Sequence, residues 1–497
     1  MNKETRYYAT ALSLIAREDS EIAEAILQEF EDQRTNLKLI ASENYTSIPV
    51  QAAMGNLLTD KYSEGIPGAR FYAGCRNIDT IESLAQRRAE KLFGADYACV
   101  QPHCGSDANL LAYWMVLSKR CLAPSLEEIA QRTGKKVKSL QELELSDWEK
   151  VRQLCHNQKL LAMDYYSGSH LTHGYRANVS GQLFEVHTYS VGEDGRIDYE
   201  ALEKKVQEVK PLILLAGYSA FSRGINFRLL SDFAERNNAT LVVDCAHFAG
   251  LLSAKAPSFT GDFDPVPFAS IVTSTTHKTL RGPRGGLLLC KEEYRPYAEK
   301  ACPMVMGGQL PHVVAAKAVA FGEALREDFS EYGKQVVRNS QALADVFLEL
   351  GVPVISGGTD NHMVILDVWK GYGLTGRQAE GILSECGLCV NRQAIVDDMN
   401  GVWYTSGIRI GSAAVSSLGM KEKELAEIGR LINYVLSHTV GVGLSKWEVE
   451  DGVVEKARKE VRELLGRKEF RLYRKVNLKK VRRAVEREKR RFLRRGR

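Results

Sequence analysis

The sequence predicts an α/β fold: a large domain on a mostly parallel sheet, followed by a smaller α+β domain. Three observations carry this. Between residues 61 and 325, apolar β-branched runs alternate with helical patterns: Pro211–Ala216, a helical stretch around Asp232–Glu235, then Leu241–Asp244 and Ala269–Val272. Such alternation builds parallel strands covered by helices. From 326 to 473 the pattern opens with helical periodicity, then carries short strand-like runs, Met363–Leu366 and Cys389–Val390, before a final helix. At 497 residues the chain exceeds one compact domain, so two or three are expected.

In chain order, residues 1–60 include an amphipathic helix-like stretch and read as an N-terminal arm. Tyr97–Val100 reads as a strand, and Leu110–Leu117 as a buried helix after a small-residue turn. Residues 119–162, rich in Lys, Glu and Leu at helical spacing and carrying Trp148, read as a helical surface insertion. Residues 474–497 are a basic tail. Its apolar residues Val476, Leu478, Val481, Val485, Phe492 and Leu493 make a thin stripe on an otherwise charged helix, which is either disordered or laid on an acidic surface.

Composition narrows the function classes. With 44% apolar and 26% charged residues the chain matches ordinary soluble proteins. No apolar run approaches the ~20 residues of a membrane span, and charges interrupt the start too early for a signal peptide. A cytoplasmic protein without a membrane partner is expected. The ten scattered cysteines read as reduced thiols. Cys386 and Cys389 form a C-x-x-C with no second pair nearby, so no metal is expected. The net charge of +5 conceals an asymmetry: residues 474–497 hold thirteen Lys or Arg against Glu486 and Glu488, a local +11 that leaves −6 for the rest. Nucleic acid is therefore conceivable only through the tail.

Three segments carry chemistry. Lys278 stands in Thr275-Thr276-His277-Lys278-Thr279, after the apolar run 269–272 and before Gly282, Gly285 and Gly286. A lysine at a buried strand end loses its proton more readily and can form a Schiff base with a carbonyl, as pyridoxal phosphate requires. A lysine in a polar turn is the competing reading. Asp244 ends the run Leu241-Val242-Val243 and is followed by His247. A buried carboxylate can keep a pyridine nitrogen protonated, or merely cap a helix. Gly105 and Ser106 open the Leu110–Leu117 helix, where free backbone N–H groups favour phosphate; a simple cap would look the same.

Taken together, the chain resembles serine hydroxymethyltransferase, a family of fold-type I pyridoxal-phosphate enzymes. The likeness runs through Leu39–Tyr45, Lys61–Gly68, His170–Gly174, the Asp244 and Lys278 segments, Ser356–His362 and Thr405–Gly411, covering roughly 20–118 and 163–473. Its most specific string is Thr275 to Gly286. The resemblance implies a seven-stranded-type sheet and transfer of the serine hydroxymethyl group to tetrahydrofolate, leaving glycine, through a pyridoxal-phosphate aldimine.

It also implies roles. Lys278 would hold the cofactor, and Asp244 would protonate its ring nitrogen. His170 would stack on the ring, with Ser219 beside it and His247 near the phenol oxygen and substrate. Gly105, Ser106 and His277 would hold the phosphate. Tyr62 and Gly308 would come from the neighbouring subunit of a homodimer with shared active sites. Arg409 would clamp the substrate carboxylate, assisted by Ser42 and Tyr72; a guanidinium fork matches carboxylate geometry. Glu64 is the acid–base candidate for the hydroxymethyl step. Tyr165, Gly168, Leu171 and Gln393 fall at the folate site.

Several positions depart from the family's pattern. Asp107 replaces a Gln, and Met304-Val305-Met306 replaces Gly-Gly-Gln. Around the folate site Tyr165 replaces Leu, Ser169 replaces Gly, Gln393 replaces Asn and Cys302 replaces Phe. Cofactor residues are intact while the pterin contacts are changed. Two alternatives stay open. One is an enzyme acting on amino acids alone, as a 3-hydroxy amino acid aldolase or alanine racemase with weak folate use. The other is a nucleic-acid-binding protein using the tail, which the −6 body disfavours.

Overall fold

The computed structural model describes residues 1–137, 139–156, 158–467, 469–470 and 475–495, with side chains through Arg491. Tyr473, and the side chains of Phe492 and Leu493, lie outside the described residues. The large sheet has seven strands: β1 (Tyr97–Cys99), β2 (Gln158–Met163), β3 (Phe184–Tyr189), β4 (Ile213–Gly217), β5 (Thr240–Asp244), β6 (Ile271–Thr275) and β7 (Gly286–Cys290). Their spatial order is β1-β7-β6-β5-β4-β2-β3. β3, β2, β4, β5 and β6 run parallel, and β7 is antiparallel to both β6 and β1.

Strands β4 to β7 are buried along their whole length, as expected of a sheet covered on both faces. Successive residues divide between two cores. Leu214, Ala216, Leu241 and Val243 join one apolar cluster, while Ile213, Leu215 and Val242 join another on the opposite face. The strand β2 lies within the segment read as an insertion. Its apolar run Leu160-Leu161-Ala162-Met163 places it between β4 and β3 instead. The segment before it is helical, at Ala123–Thr133 and Leu145–Cys155, and Arg132 pairs with Asp147 across the two helices.

The smaller domain centres on an antiparallel three-stranded sheet, Met363–Asp367, Gly407–Gly411 and Asn391–Gln393. Its core also draws on Leu37, Leu39 and Tyr45, and Leu37–Lys38 pairs in parallel with Leu388–Cys389. Residues 1–60 thus do not behave as one arm. Their first part, α1 (Lys3–Glu18) and α2 (Ser20–Thr35), packs chiefly on itself and on the C-terminal helix, with Tyr8 Oη donating to Gln51 Oε1 (2.6 Å) as a link to the segment that follows.

The basic tail packs on the chain itself through one face. Among the described residues it forms the helix Leu478–Arg495, lying along α1 and α2. Val476, Val481 and Val485 bury against Ala9, Leu12, Ala16, Ala23, Leu27 and Phe30. The acidic surface it covers belongs to the arm: Arg482 pairs with Glu31 and Lys489 with Glu24. The stripe spacing of the sequence is that of a helix with one apolar face, but its partner was not legible.

Removing residues 475–497 should therefore strip the arm of its cover while leaving cofactor binding unchanged. Each buried valine contributes about 1.5–3 kcal/mol. Limited proteolysis should cut α1 and α2 faster in the truncated protein; an arm equally protected in both forms refutes this.

Candidate active site

The site lies at the carboxyl ends of the parallel strands, where loops leave an α/β sheet and ligands ordinarily bind. Asp244 is the last residue of β5, and Lys278 comes three residues after β6. Ser219 follows β4, and His170 follows β2. After β1 the chain turns into α3 (Gly105–Leu117), an apolar helix buried in the core. A Cβ on Gly105 would fall 2.7 Å from Thr275 Cγ2, so only glycine lets α3 begin against the end of β6.

These residues line one cavity of about 340 Å³. Ser42, Gly105, Ser106, His170, Ser219, Asp244, His247, His277, Lys278 and Arg409 all face it, joined by Glu43, Cys104 and Arg284. Gly168 stands behind the cavity wall; its carbonyl accepts hydrogen bonds from the backbone of Ser219 (2.8 Å) and Ala220 (2.9 Å).

Burial decides the electrostatics. It pushes the Lys278 amine down to about 8, with Arg409 and Arg284 adding to the effect and Asp244 opposing it. Lys278 Nζ donates to Thr275 Oγ1 at 3.1 Å. Burial pushes Arg409 down to about 10. The guanidinium donates to Asn391 Oδ1 (3.1 Å) and to the Ser219 carbonyl, and no carboxylate pairs with it among the described residues. Burial alone would raise the Asp244 carboxyl. The bond and charge of His173, with the Asn109 amide, instead hold it below the usual carboxylate range. His170 is pushed down to about 4 by burial and by His173, and His277 to about 3 by burial and by Lys278 and Arg284. His247 is also held well below its ordinary value, chiefly by burial.

Four residues that the sequence reading did not single out organise this charge. Asn109 Nδ2 donates to Asp244 Oδ2 (2.9 Å) and to Thr172 Oγ1 (2.8 Å), while Thr273 Oγ1 donates to Asn109 Oδ1. His173 Nε2 donates to Asp244 Oδ2 at 3.0 Å. Thr172 Oγ1 lies 2.7 Å from His170 Nδ1. One network thus fixes both Asp244 and the ring of His170. The only signal for Asn109 was a weak one: it is an amide directly before the apolar run Leu110–Leu117, in a first turn that already carries Ser106 and Asp107.

The residues also fit a phosphorylated pyridine. The N-cap of α3, Cys104, makes no side-chain bond to the first turn, leaving backbone N–H groups available for an anion. Within the cavity wall, buried His277 Nδ1 has no hydrogen-bond partner. Asp107 turns from the cavity toward His103, 3.8 Å away.

A second group lies outside this cavity. Tyr72 Oη donates to Glu64 Oε2 (2.9 Å), and the Tyr62 and Tyr72 rings are 5.0 Å apart. A Cβ on Gly308 would sit 3.3 Å from Glu64 Cγ, and the Gly308 carbonyl lies 2.8 Å from His103 Nε2. Tyr62 is 60% and Tyr72 43% exposed, so within one chain this cluster faces outward. The expected folate positions are likewise beyond the lining residues. Tyr165 packs on Tyr166 and Tyr175, Leu171 is exposed, and Gln393 Nε2 donates to the Ala394 carbonyl. Cys302 is buried in the core, 3.4 Å from Cys99 Sγ, because its helix packs that face against the sheet.

The family model described as "Serine hydroxymethyltransferase" matches residues 15–127 and 150–432. The chain belongs to the serine hydroxymethyltransferase family. Among curated relatives, the serine hydroxymethyltransferase of Treponema pallidum is 51% identical over 474 residues, covering 94% of this chain and 81% of the relative. That of Salinispora tropica is 52% identical over 439 residues, covering 88% and 90%. That of Mycolicibacterium smegmatis is 48% identical over 462, covering 92% of each. The family is one of fold-type I enzymes, and the seven-stranded, mostly parallel sheet agrees with it. The family match omits residues 128–149, inside the helical insertion.

Asn109→Ala should leave Asp244 short of a donor and Thr273 Oγ1 without its acceptor, and cut the link from Thr172 to α3. The expected cost is roughly 1–3 kcal/mol, read as a lower denaturant midpoint, together with weaker cofactor retention. A variant as stable as the parent, with cofactor held as tightly, removes Asn109 from this role.

Proposed function

We propose that the chain catalyses reversible transfer of the serine hydroxymethyl group to tetrahydrofolate, giving glycine and 5,10-methylenetetrahydrofolate, with pyridoxal phosphate as cofactor. One observation carries the reading: a buried amine (Lys278), a buried guanidinium without a carboxylate partner among the described residues (Arg409) and an ionised Asp244 face one cavity. When bound, pyridoxal phosphate supplies an electron sink. The protein's own residues do the rest. Lys278, with its lowered pKa, presents a reactive amine near neutral pH. Asp244 would keep a proton on the cofactor's ring nitrogen, and its network holds the carboxylate in place. Arg409 takes the amino-acid carboxylate in two parallel bonds, and so fixes which bond at Cα breaks. Glu64 is the acid–base group for the hydroxymethyl step, with Tyr72 on its carboxylate.

Steady-state cleavage of serine, with and without tetrahydrofolate, tests this. Glycine formation should depend on tetrahydrofolate. Arg409→Ala should lower serine turnover by several orders of magnitude with cofactor still bound, since breaking a buried charge pair costs about 3–5 kcal/mol. Cleavage indifferent to folate points instead to a 3-hydroxy amino acid aldolase. Tyr165 and Gln393, where the family has Leu and Asn, favour that reading to the extent of a weaker folate site.

The working unit in this reading is a cytoplasmic homodimer. The cluster of Tyr62, Glu64, Tyr72 and Gly308 is exposed at both tyrosines and lies outside the lining of its own chain's cavity. A second copy would receive it, each subunit lending this cluster to the other's Lys278 cavity. The tail needs no nucleic acid in this account, since Arg482 and Lys489 already pair with the arm. Lys278→Gln and Glu64→Gln, each inactive alone, should then complement when mixed as subunits. Random exchange gives about a quarter of the wild-type sites. No recovery after verified exchange means each chain works with its own Glu64.

A further inference from the structure

Lys317 lies in the helix Pro311–Ala324 and is 1% exposed. Its Nζ donates to the carbonyls of Val100 (2.7 Å) and Pro102 (2.8 Å), on the turn that runs from β1 into the start of α3. No carboxylate pairs with it among the described residues. Its stem passes against Gly285, the first of the two glycines that follow Arg284, while Gly286 lies against Cys104 and Pro102 of the turn. A Cβ on Gly285 would fall 2.5 Å from Lys317 Cε, and one on Gly286 would fall 2.2 Å from the Cys104 carbonyl. The Pro102 carbonyl also accepts from Gly286 N at 2.9 Å. The Gly-Gly pair therefore makes room both for this lysine and for the turn presenting Gly105 and Ser106. A buried cation held only by carbonyls is costly unless an anion compensates it.

We infer that Lys317 is a positioning residue whose compensating anion is the cofactor phosphate: it fixes the 100–106 turn from behind and adds positive charge beneath the start of α3. This rests on the proposed cofactor site. The lysine acts through the turn and touches neither substrate nor cofactor. Burial also pushes its amine down to about 8, against the opposing pull of Cys99, Cys302, Glu82 and Asp107. These four groups face it from β1, the helix Arg295–Val305, the helix Arg76–Phe93 and α3. An anion at the α3 start is thus expected to bind more tightly when Lys317 is protonated.

The test compares pyridoxal phosphate with pyridoxal, which lacks the phosphate, in titrations of the full-length chain stripped of cofactor. Lys317→Met should weaken pyridoxal phosphate by about tenfold, the size expected of a partly screened charge at this remove, and leave pyridoxal unchanged. Equal losses for both ligands, or none for either, overturn the inference. Because the variant strands two carbonyls, the wild-type chain provides a second measurement. The affinity ratio of pyridoxal phosphate to pyridoxal should fall from about pH 7 to about pH 9, a range in which the phosphate itself is already doubly ionised. A flat ratio refutes the role of the lysine. Cys99→Ala should preserve the slope; its loss there would assign the titration to the thiol instead. Failure of both ligands to bind wild-type protein at all would count against the cofactor site itself, not against Lys317 alone.

Discussion

The buried Asp244 carboxylate is the constraint around which the site is arranged. Ionised and buried, it is tolerable only if donors surround it. Asn109 comes from α3, His173 from the loop after β2, and the Ala246 backbone N–H from the turn after β5. Meeting that requirement pins three elements to one point at the sheet's carboxyl edge. The same Asn109 reaches Thr172, which lies against His170, and receives Thr273 from β6. The position of β6, and hence of Lys278, is tied to the same carboxylate.

Positive charge is distributed with equal economy. Lys278, Arg409 and Arg284 share a cavity in which burial lowers the first two. The histidines nearby are held neutral, His170 at about 4 and His277 at about 3, so they contribute hydrogen bonds and ring faces rather than charge. A cavity so built favours a ligand carrying more than one anionic group, and phosphate with carboxylate meets that description. The chain's outer parts serve a different need. The arm and tail cover one another by apolar contact and ion pairs, and none of the residues in that cluster lines the cavity.

Much of this was legible along the chain because its signals are local. The period of apolar runs gave the strands β4 to β6, and the strings around Asp244 and Lys278 gave the residues that end them. Gly105 and Ser106 read as a helix start from their place before an apolar stretch, and they are one. Strand β2 was lost because helical spacing before it ran on into its apolar residues, and a short apolar run does not declare its type.

What the sequence by itself determined, then, is the alternating α/β pattern, the family, and which residue types stand at the strand ends. Only the tertiary structure decided which of them meet. It put Ser42 and Arg409, more than three hundred residues apart, on one cavity, and left Tyr62, Tyr72 and the Glu64 bonded to Tyr72 outside its lining. It gave the basic tail an acidic partner within the same chain, and it buried Cys302 where a folate contact was expected. The physical reason is that strand-end chemistry is set by local backbone and side-chain type. Burial, the pairing of charges and the direction of a side chain depend on neighbours that the chain brings together only when it folds.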